Sequence, residues 1–135
     1  MRVVLDTNVF ISGIHWTGNS EKIISMFRNK TFELVSSIPI IEEITKTLRN
    51  FRIPLSEEDI SNWENMILEN ALLVEPEEKI DIIKEDFSDN KFIEAAVAGK
   101  TDYIVTQDNH LLKIKEFRGI KILTPEEFLS RLEKN

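Results

Sequence analysis

Short apolar runs alternate along this chain with longer amphipathic stretches, and this alternation restricts the possible fold more than any other feature. Five runs of strand length are rich in Val, Ile, Leu, Tyr or Phe and have no internal proline: residues 2–6, 32–36, 71–75, 102–106 and 119–123. Strands that alternate with helices predict an α/β fold. We expect a three-layer α/β/α arrangement around a central, mostly parallel sheet of about five strands.

Local signals mark the ends of the predicted helices. Ser20 is expected to cap the first helix. Ser56 is typical of the start of a helix that runs to Asn70, and Gly99 is expected to end the helix before the last. Thr124, followed by Pro and by Glu three residues later, predicts the start of the final helix. The apolar stripes of the middle helices are Ile23, Ile24 and Phe27; Ile40, Ile41, Ile44 and Leu48; Ile60, Trp63 and Ile67; and Phe92, Ile93, Ala96 and Val97.

The composition limits the class of protein. The chain has 135 residues without a repeat or linker, which predicts a single domain over residues 1–135. Its 41% hydrophobic and 30% charged residues exclude collagen-like, disordered and membrane-spanning classes. The absence of cysteine excludes disulfides and thiol catalysis, and no signal-peptide pattern follows Met1. We therefore expect a cytoplasmic protein with no membrane partner.

The net charge of -7 argues against a protein that coats nucleic acid through excess positive charge. Acidic side chains gathered in one place can instead bind divalent cations, and these cations can hold a phosphate. The positions of the acidic residues therefore matter more than their number.

Four acidic side chains are predicted to meet at one edge of the sheet. Asp6 ends the first strand, Asp108 follows the fourth, Asp89 precedes a helix, and Glu43 lies early in the helix after the second strand. The carboxyl ends of parallel strands and the starts of the following helices share one edge, where such folds bind ligands. Like charges repel, so this cluster requires divalent cations. An all-oxygen set favours Mg²⁺ or Mn²⁺ over Zn²⁺ and indicates metal-assisted phosphodiester hydrolysis.

Each of these acids also has a simpler interpretation. Asp6 and the two polar residues after it suit a tight turn. Asp89 suits a helix N-cap, and Asp108 suits a cap of the short turn that follows it. Glu43 borders an apolar stripe and fits a solvated helix face. Its neighbour Glu42 points about 100° away around the helix and is the weaker candidate for the site.

Several segments, in their order along the chain, carry a resemblance to a known family: residues 3–10 (Val-Val-Leu-Asp-Thr-Asn-Val-Phe), Ser37 with residues 42–44 and Leu48, residues 86–96 and residues 102–108. Together they resemble the PIN-domain ribonucleases over most of the chain. The branch they resemble most contains short single-domain toxins of toxin–antitoxin pairs, similar to the VapC group. The Glu-Glu-Phe-Leu segment near the end of the chain also resembles the C-terminal helix of that branch.

The resemblance implies a site and an activity. It implies that Asp6, Glu43, Asp89 and Asp108 are the catalytic acids and metal ligands, directly or through water, and that Thr7, Asn8 and Thr106 orient them. It also implies endonucleolytic cleavage of RNA by a metal-activated water, with 5′-phosphate and 3′-hydroxyl products, and an antitoxin protein as partner. Many relatives carry a further Asp where this chain has His110, which leaves the number of bound ions open.

Other residues allow more than one interpretation. Five basic residues either border the acids or lie on ordinary solvated faces: Lys22, Arg28, Lys91, Lys113 and Lys115. Trp16, in a predicted loop over residues 13–18, suits either a stacked base or a packing or dimer contact. The apolar helices around residues 16–27 or 53–63 predict a homodimer.

Three alternatives remain beside the nuclease. A phosphatase would require a second Asp where Asn8 stands, and a phospho-receiver domain would require a Lys after a late strand, where Gln107 follows Thr106. Both fit worse. The stronger alternative is a catalytically weak or inactive PIN-like scaffold that binds RNA or a protein partner.

Overall fold

A computed structural model of the protein describes residues 1–133, and its centre is a six-stranded sheet. The strands are β1 Arg2–Leu5, β2 Glu33–Ser36, β3 Leu72–Leu73, β4 Tyr103–Val105, β5 Glu116–Phe117 and β6 Ile120–Leu123. Their order is β3-β2-β1-β4-β6-β5, and every pair is parallel except β5 with β6. The predicted α/β class with a mostly parallel sheet is confirmed. The sheet has one strand more than expected, because β5 had no signal in the sequence, and β3 is shorter than the predicted run.

Helices flank this sheet. They are α1 Thr7–His15, α2 Asn19–Arg28, α3 Ile38–Asn50, α4 Glu57–Asn70, α5 Asn90–Ala98, α6 Asn109–Leu112 and α7 Pro125–Glu133. The hydroxyl of Ser56 accepts a hydrogen bond from the amide of Asp59, as expected for the cap of α4. Thr124 and Glu127 exchange two side-chain to backbone hydrogen bonds at the start of α7. These start signals, and Gly99 as the end of α5, are confirmed.

The beginning of the chain differs from the prediction. The turn expected after Asp6 is present, because its carboxylate accepts a hydrogen bond from the amide of Asn8, but this turn leads directly into α1, which begins at Thr7 and extends into the predicted 13–18 loop. Ser20 does not cap α2; it is buried inside the helix, and Gly18, with φ of 130°, precedes it. Consecutive apolar residues after Asp6 are buried on nearly all sides of α1, so they lack the one-sided periodicity that indicates an amphipathic helix.

Gly13 allows α1 and α2 to approach closely. A Cβ atom at this position would lie 2.4 Å from Cγ1 of Ile24 and 2.8 Å from the carbonyl oxygen of Ser20. Real Cβ atoms do not come so close to other heavy atoms, so a larger residue would force the two helices apart. The position of α1 therefore depends on the absence of a side chain at residue 13.

The sheet order places β1 at the centre of the functional edge. β1 pairs with β2 on one side and with β4 on the other, and α5 packs against all three strands. The side chains of Val3, Val4 and Ile104 are fully buried in the core between the layers. The carboxyl ends of β1 and β4 therefore lie side by side, at the kind of strand-order reversal where α/β folds bind ligands.

No helix among residues 1–133 is long and apolar enough to cross a membrane. The prediction of one domain over residues 1–135 stays a prediction.

Candidate active site

A cavity of about 210 Å³ opens at the carboxyl edge of the sheet. It is lined by Asp6, Thr7, Asn8, Glu43, Thr47, Asp86, Asp89, Phe92 and Asp108. All four acids that the sequence predicted line this one cavity, although they come from distant parts of the chain. Asp86 is a fifth acid in its wall, and the sequence analysis did not include it among the candidates.

Asp6 is buried at the floor of the cavity, directly after β1. Its carboxylate caps α1 by accepting hydrogen bonds from the amides of Asn8 at 2.7 Å and Val9 at 3.2 Å, and it also accepts one from the hydroxyl of Thr106. Burial raises the pKa of Asp6, and the negative charge of Asp108 acts in the same direction, while the three hydrogen bonds oppose the rise. Asp6 therefore both caps α1 and is a candidate metal ligand.

Thr106 connects the ends of β1 and β4. Its fully buried hydroxyl donates to Asp6 and accepts a hydrogen bond of 2.9 Å from the amide of Asp108. The carboxylate of Asp108 in turn accepts from the amide of His110 at 2.8 Å, so the predicted cap at Asp108 is present. One threonine therefore holds two of the candidate acids in a fixed relation.

Glu43 lies on α3 with both carboxylate oxygens engaged. Oε2 accepts a hydrogen bond from the hydroxyl of Thr7, and Oε1 lies 2.8 Å from Nζ of Lys91. The Lys91 ammonium also donates to the carbonyl oxygen of Ser88 at 2.9 Å. Glu42, the neighbouring candidate, is exposed and does not line the cavity.

Asp89 lies where a short 3₁₀ turn, Phe87–Asp89, meets α5. It occupies the predicted N-cap position of α5, but its side chain makes no capping hydrogen bond there. Burial raises the pKa of Asp89 to about 7, with further contributions from a hydrogen bond to Asp108 and from the charge of Asp86. Asp86 itself is exposed, and its hydrogen bonds from the hydroxyl and amide of Ser88 lower its pKa.

Asn90 fixes the segment that carries Asp86 and Asp89. Its buried side-chain amide accepts from the amides of Ile82 and Ile83 and donates to the carbonyl oxygens of Ile83 and Phe87. A single side chain thus organises a segment that has little secondary structure of its own. The sequence analysis did not identify this role, because the partners lie in a segment without a periodic pattern.

Of the five basic candidates, Lys91 reaches the acids. Lys22, Arg28, Lys113 and Lys115 are exposed and do not line the cavity; Arg28 lies over the ring of Trp63, and Lys113 pairs with Glu85. His110 lies 3.9 Å from Glu85 and also stays outside the lining.

The donor set in the cavity fits a divalent cation chemically. Carboxylates and hydroxyls are the hard oxygen ligands that Mg²⁺ and Mn²⁺ prefer. Burial raises the pKa values of Asp6 and Asp89, and the charges of neighbouring carboxylates add to both shifts, so a cation at this place would be favoured. However, no group of three or more Asp, Glu or His side chains in the described part of the chain is already arranged as a metal site.

Comparisons with known proteins give a family and a fold. A family model described as PIN domain matches residues 2–110. No curated protein matches the chain. Among solved structures, PAE2754 from Pyrobaculum aerophilum superposes with a TM-score of 0.60 at 17% identity, and the match covers 100% of this chain and 91% of that one.

Two further solved structures are similar to the chain. One is VapBC2 from Rickettsia felis, bound to a DNA fragment from their promoter, with a TM-score of 0.57, 14% identity and coverage of 90% of this chain and 97% of that one. The other is FitAcB from Neisseria gonorrhoeae, with a TM-score of 0.55, 12% identity and coverage of 92% and 98%. At these identities the likeness shows a shared fold.

Proposed function

Because the chain belongs to the PIN-domain family, we propose that it is an endoribonuclease that hydrolyses RNA phosphodiester bonds with the help of Mg²⁺ or Mn²⁺. The observation that carries this proposal is the convergence of Asp6, Glu43, Asp89 and Asp108 around one cavity at the carboxyl edge of the sheet. Membership of a family whose domains are generally nucleases supports a hydrolase.

Different residues of the cavity would bind the ion and orient its ligands in such a reaction. Asp6, Asp89 and Asp108 would hold a divalent ion, with Glu43 as a ligand directly or through water. Such an ion supplies an activated water and stabilises charge on the phosphate oxygens. Thr106 keeps Asp6 and Asp108 in register, Thr7 orients Glu43, and Asn8 lines the cavity mouth.

The biological role proposed here is that of the toxin of a toxin–antitoxin pair, acting in the cytoplasm. The family membership and the shared fold with VapBC2 support this role and an antitoxin protein as partner. We further propose a homodimer, because Trp16 and Ile53 expose 43% and 47% of their surface on the apolar segments that predicted it. Sedimentation at high micromolar concentration measures this directly, and a monomer there would contradict the dimer.

The alternative function is a PIN-like scaffold that binds RNA or a protein without cleaving it. The ion pair between Lys91 and Glu43 favours this alternative, because it already neutralises one acid of the cavity without a metal. A scaffold would bind RNA equally with or without Mn²⁺ and would leave the RNA intact.

A cleavage assay separates the two functions. The full chain is incubated with end-labelled single-stranded RNA or tRNA in the presence of Mn²⁺, Mg²⁺ or EDTA. We expect cleavage with either ion, products that end in 5′-phosphate and 3′-hydroxyl groups, and no cleavage in EDTA. Undiminished cleavage in EDTA would contradict the metal-dependent mechanism, and intact RNA under every condition would favour the scaffold.

A further inference from the structure

Phe87 has the most exposed large hydrophobic side chain among residues 1–133, with 65% of its surface accessible. It lies in the 3₁₀ turn between Asp86 and Asp89, both of which line the acidic cavity. An aromatic ring in solvent contributes nothing to the core. An exposed apolar side chain next to a candidate site is typical of a ligand-binding surface.

Hydrogen bonds fix the backbone of the turn that carries this ring. The carbonyl oxygen of Phe87 accepts a hydrogen bond from the side chain of Asn90, and Asp86 accepts one from the amide of Ser88 at 3.0 Å. Asn90 is buried and is also bonded to Ile83, so the turn is tied to the body of the protein. The ring is thus presented by a fixed turn and is not exposed by fraying of a chain end.

A second cavity, of about 520 Å³, is lined by Phe87 and Ser88, which belong to the same segment as Asp86 and Asp89 of the acidic cavity. Phe87, Pro39 and Ile80 give it apolar walls, and Lys79 and Lys91 give it positive charge. Lys91 lies between the two cavities, because its ammonium contacts Glu43 in the wall of the first while the residue lines the second. A polynucleotide with a phosphate at the acids would therefore place a neighbouring nucleotide beside Phe87.

The acids of the second cavity are already bonded within the protein. Asp81 forms an ion pair with Lys84 at 3.1 Å, and Glu94 accepts a hydrogen bond from the amide of Ile80 at 2.9 Å. They therefore oppose a phosphate less than free carboxylates would. A flat apolar base against the ring, with phosphates near the lysines, matches the chemistry of these walls.

We propose that Phe87 is a stacking platform for an unpaired base next to the scissile phosphate. The inference rests on the proposed nuclease function and adds a residue that positions the substrate. Bases stack on exposed aromatic rings regardless of sequence. The bases of a duplex are already stacked and paired, so they cannot lie against Phe87 without being pulled out of the helix.

The test compares Phe87→Ala with Phe87→Trp and with Leu68→Ala as a control. Leu68 is also an exposed apolar residue, but it lines neither cavity and lies outside the two segments proposed for the dimer. Each full-length variant is titrated with single-stranded RNA that carries 2-aminopurine, with a duplex of the same sequence as reference. Cleavage kinetics in Mn²⁺ and melting temperatures are measured in parallel.

We expect Phe87→Ala to weaken binding and raise KM for single-stranded RNA about tenfold, since a stacked base contributes on this scale. The 2-aminopurine fluorescence should be quenched by the wild-type protein and by Phe87→Trp but not by Phe87→Ala. Duplex binding, kcat and the melting temperature should stay unchanged, and Leu68→Ala should bind and cleave RNA as the wild type does.

The outcomes distinguish failure of this inference from failure of the nuclease proposal. Normal cleavage with a wild-type KM for Phe87→Ala would overturn the platform alone. An equal loss on single-stranded and duplex RNA would also overturn it. If the wild-type protein cleaves no RNA but its quenching of single-stranded RNA depends on Phe87, the nuclease proposal fails and the platform stands.

Discussion

Lys91 and Glu43 form an ion pair in the wall of the acidic cavity, with 2.8 Å between Nζ and Oε1. The two residues are 48 positions apart and join α5 to α3. Both side chains are partly buried, with 15% of Lys91 and 32% of Glu43 exposed. The pair therefore places a positive charge beside one acid of the cavity, and it holds Glu43 in one orientation.

Replacement of Lys91 tests whether its charge stabilises the metal-free protein by pairing with Glu43. Lys91→Met keeps much of the aliphatic stem but leaves Glu43 without its charged partner. We expect the free energy of unfolding in EDTA to fall by about 1–3 kcal/mol, the cost of losing a charged hydrogen-bond partner at a partly buried site. Denaturant titration measures this change. Lys113→Met, which removes the exposed pair with Glu85, should stay within about 0.5 kcal/mol of wild type, and equal effects of both variants would contradict the role of Lys91.

Asp6→Asn tests whether the buried acid is catalytic. Asn caps a helix about as well as Asp, so α1 should remain in place. We expect RNA cleavage in Mn²⁺ to fall at least about a hundredfold, the scale of losing a key group that stabilises charge in the transition state. Steady-state rates measure the loss. Asp102→Asn, an exposed acid that lines neither cavity, is the control, and a rate for Asp6→Asn similar to this control would refute a catalytic role.

Asp89→Asn tests the crowding of charge without reference to a substrate. Asp89 makes no capping bond, and its charge faces Asp86 and Asp108; the substitution removes this charge, while the Asn amide can still donate the hydrogen bond to Asp108. We expect the melting temperature in EDTA to rise and the increment produced by Mn²⁺ to shrink, since one repelling ligand is gone. Thermal melts with and without Mn²⁺ measure both quantities. A lower melting temperature with an unchanged Mn²⁺ increment would remove Asp89 from the ligand set.

The stability of the metal-free protein should depend on pH in a defined direction. The folded chain raises the pKa of Asp89 from 3.8 to about 7, so between these values the folded state holds a proton that the unfolded state releases. Stability from this group is therefore greatest at low pH and is lost as pH rises from about 4 to about 7. Burial gives Asp6 a shift in the same direction.

We expect the melting temperature in EDTA to decrease from pH 5 to pH 8, and the decrease to be smaller in Asp89→Asn. Saturating Mn²⁺ should weaken the decrease, because the ion competes with the proton for the same carboxylates. Melts across this pH range in both buffers measure the effect. Parallel curves for wild type and Asp89→Asn would show that Asp89 titrates normally.

The sequence was most informative where strand order determines position. Asp6 and Asp108 each follow an apolar run, and parallel strands bring such positions to one edge without further information. The helix signals at Ser56 and Thr124 also held, because capping involves residues only three positions apart. These features depend on local chemistry or on the direction of the strands.

Other features depend on contacts that no local pattern contains. The β5–β6 hairpin has two-residue pairing, and its turn relies on positive φ at Arg118 and Gly119. The contact of Lys91 with Glu43 spans two helices. Asp86 enters the cavity wall because Asn90 organises a segment without periodicity. Tertiary packing decides each of these, so the sequence alone could not reveal them.

Because α1 and α2 approach closely at Gly13, α1 connects this helix contact rigidly to the acidic cavity. One end of α1 carries Asp6, Thr7 and Asn8 at the cavity, and the other end is wedged against Ile24 and Ser20. A helix is stiff along its axis, so displacement at the wedge would be transmitted to the acids. Natural variation at residue 13, which does not line the acidic cavity, should therefore be as restricted as variation among the acids themselves.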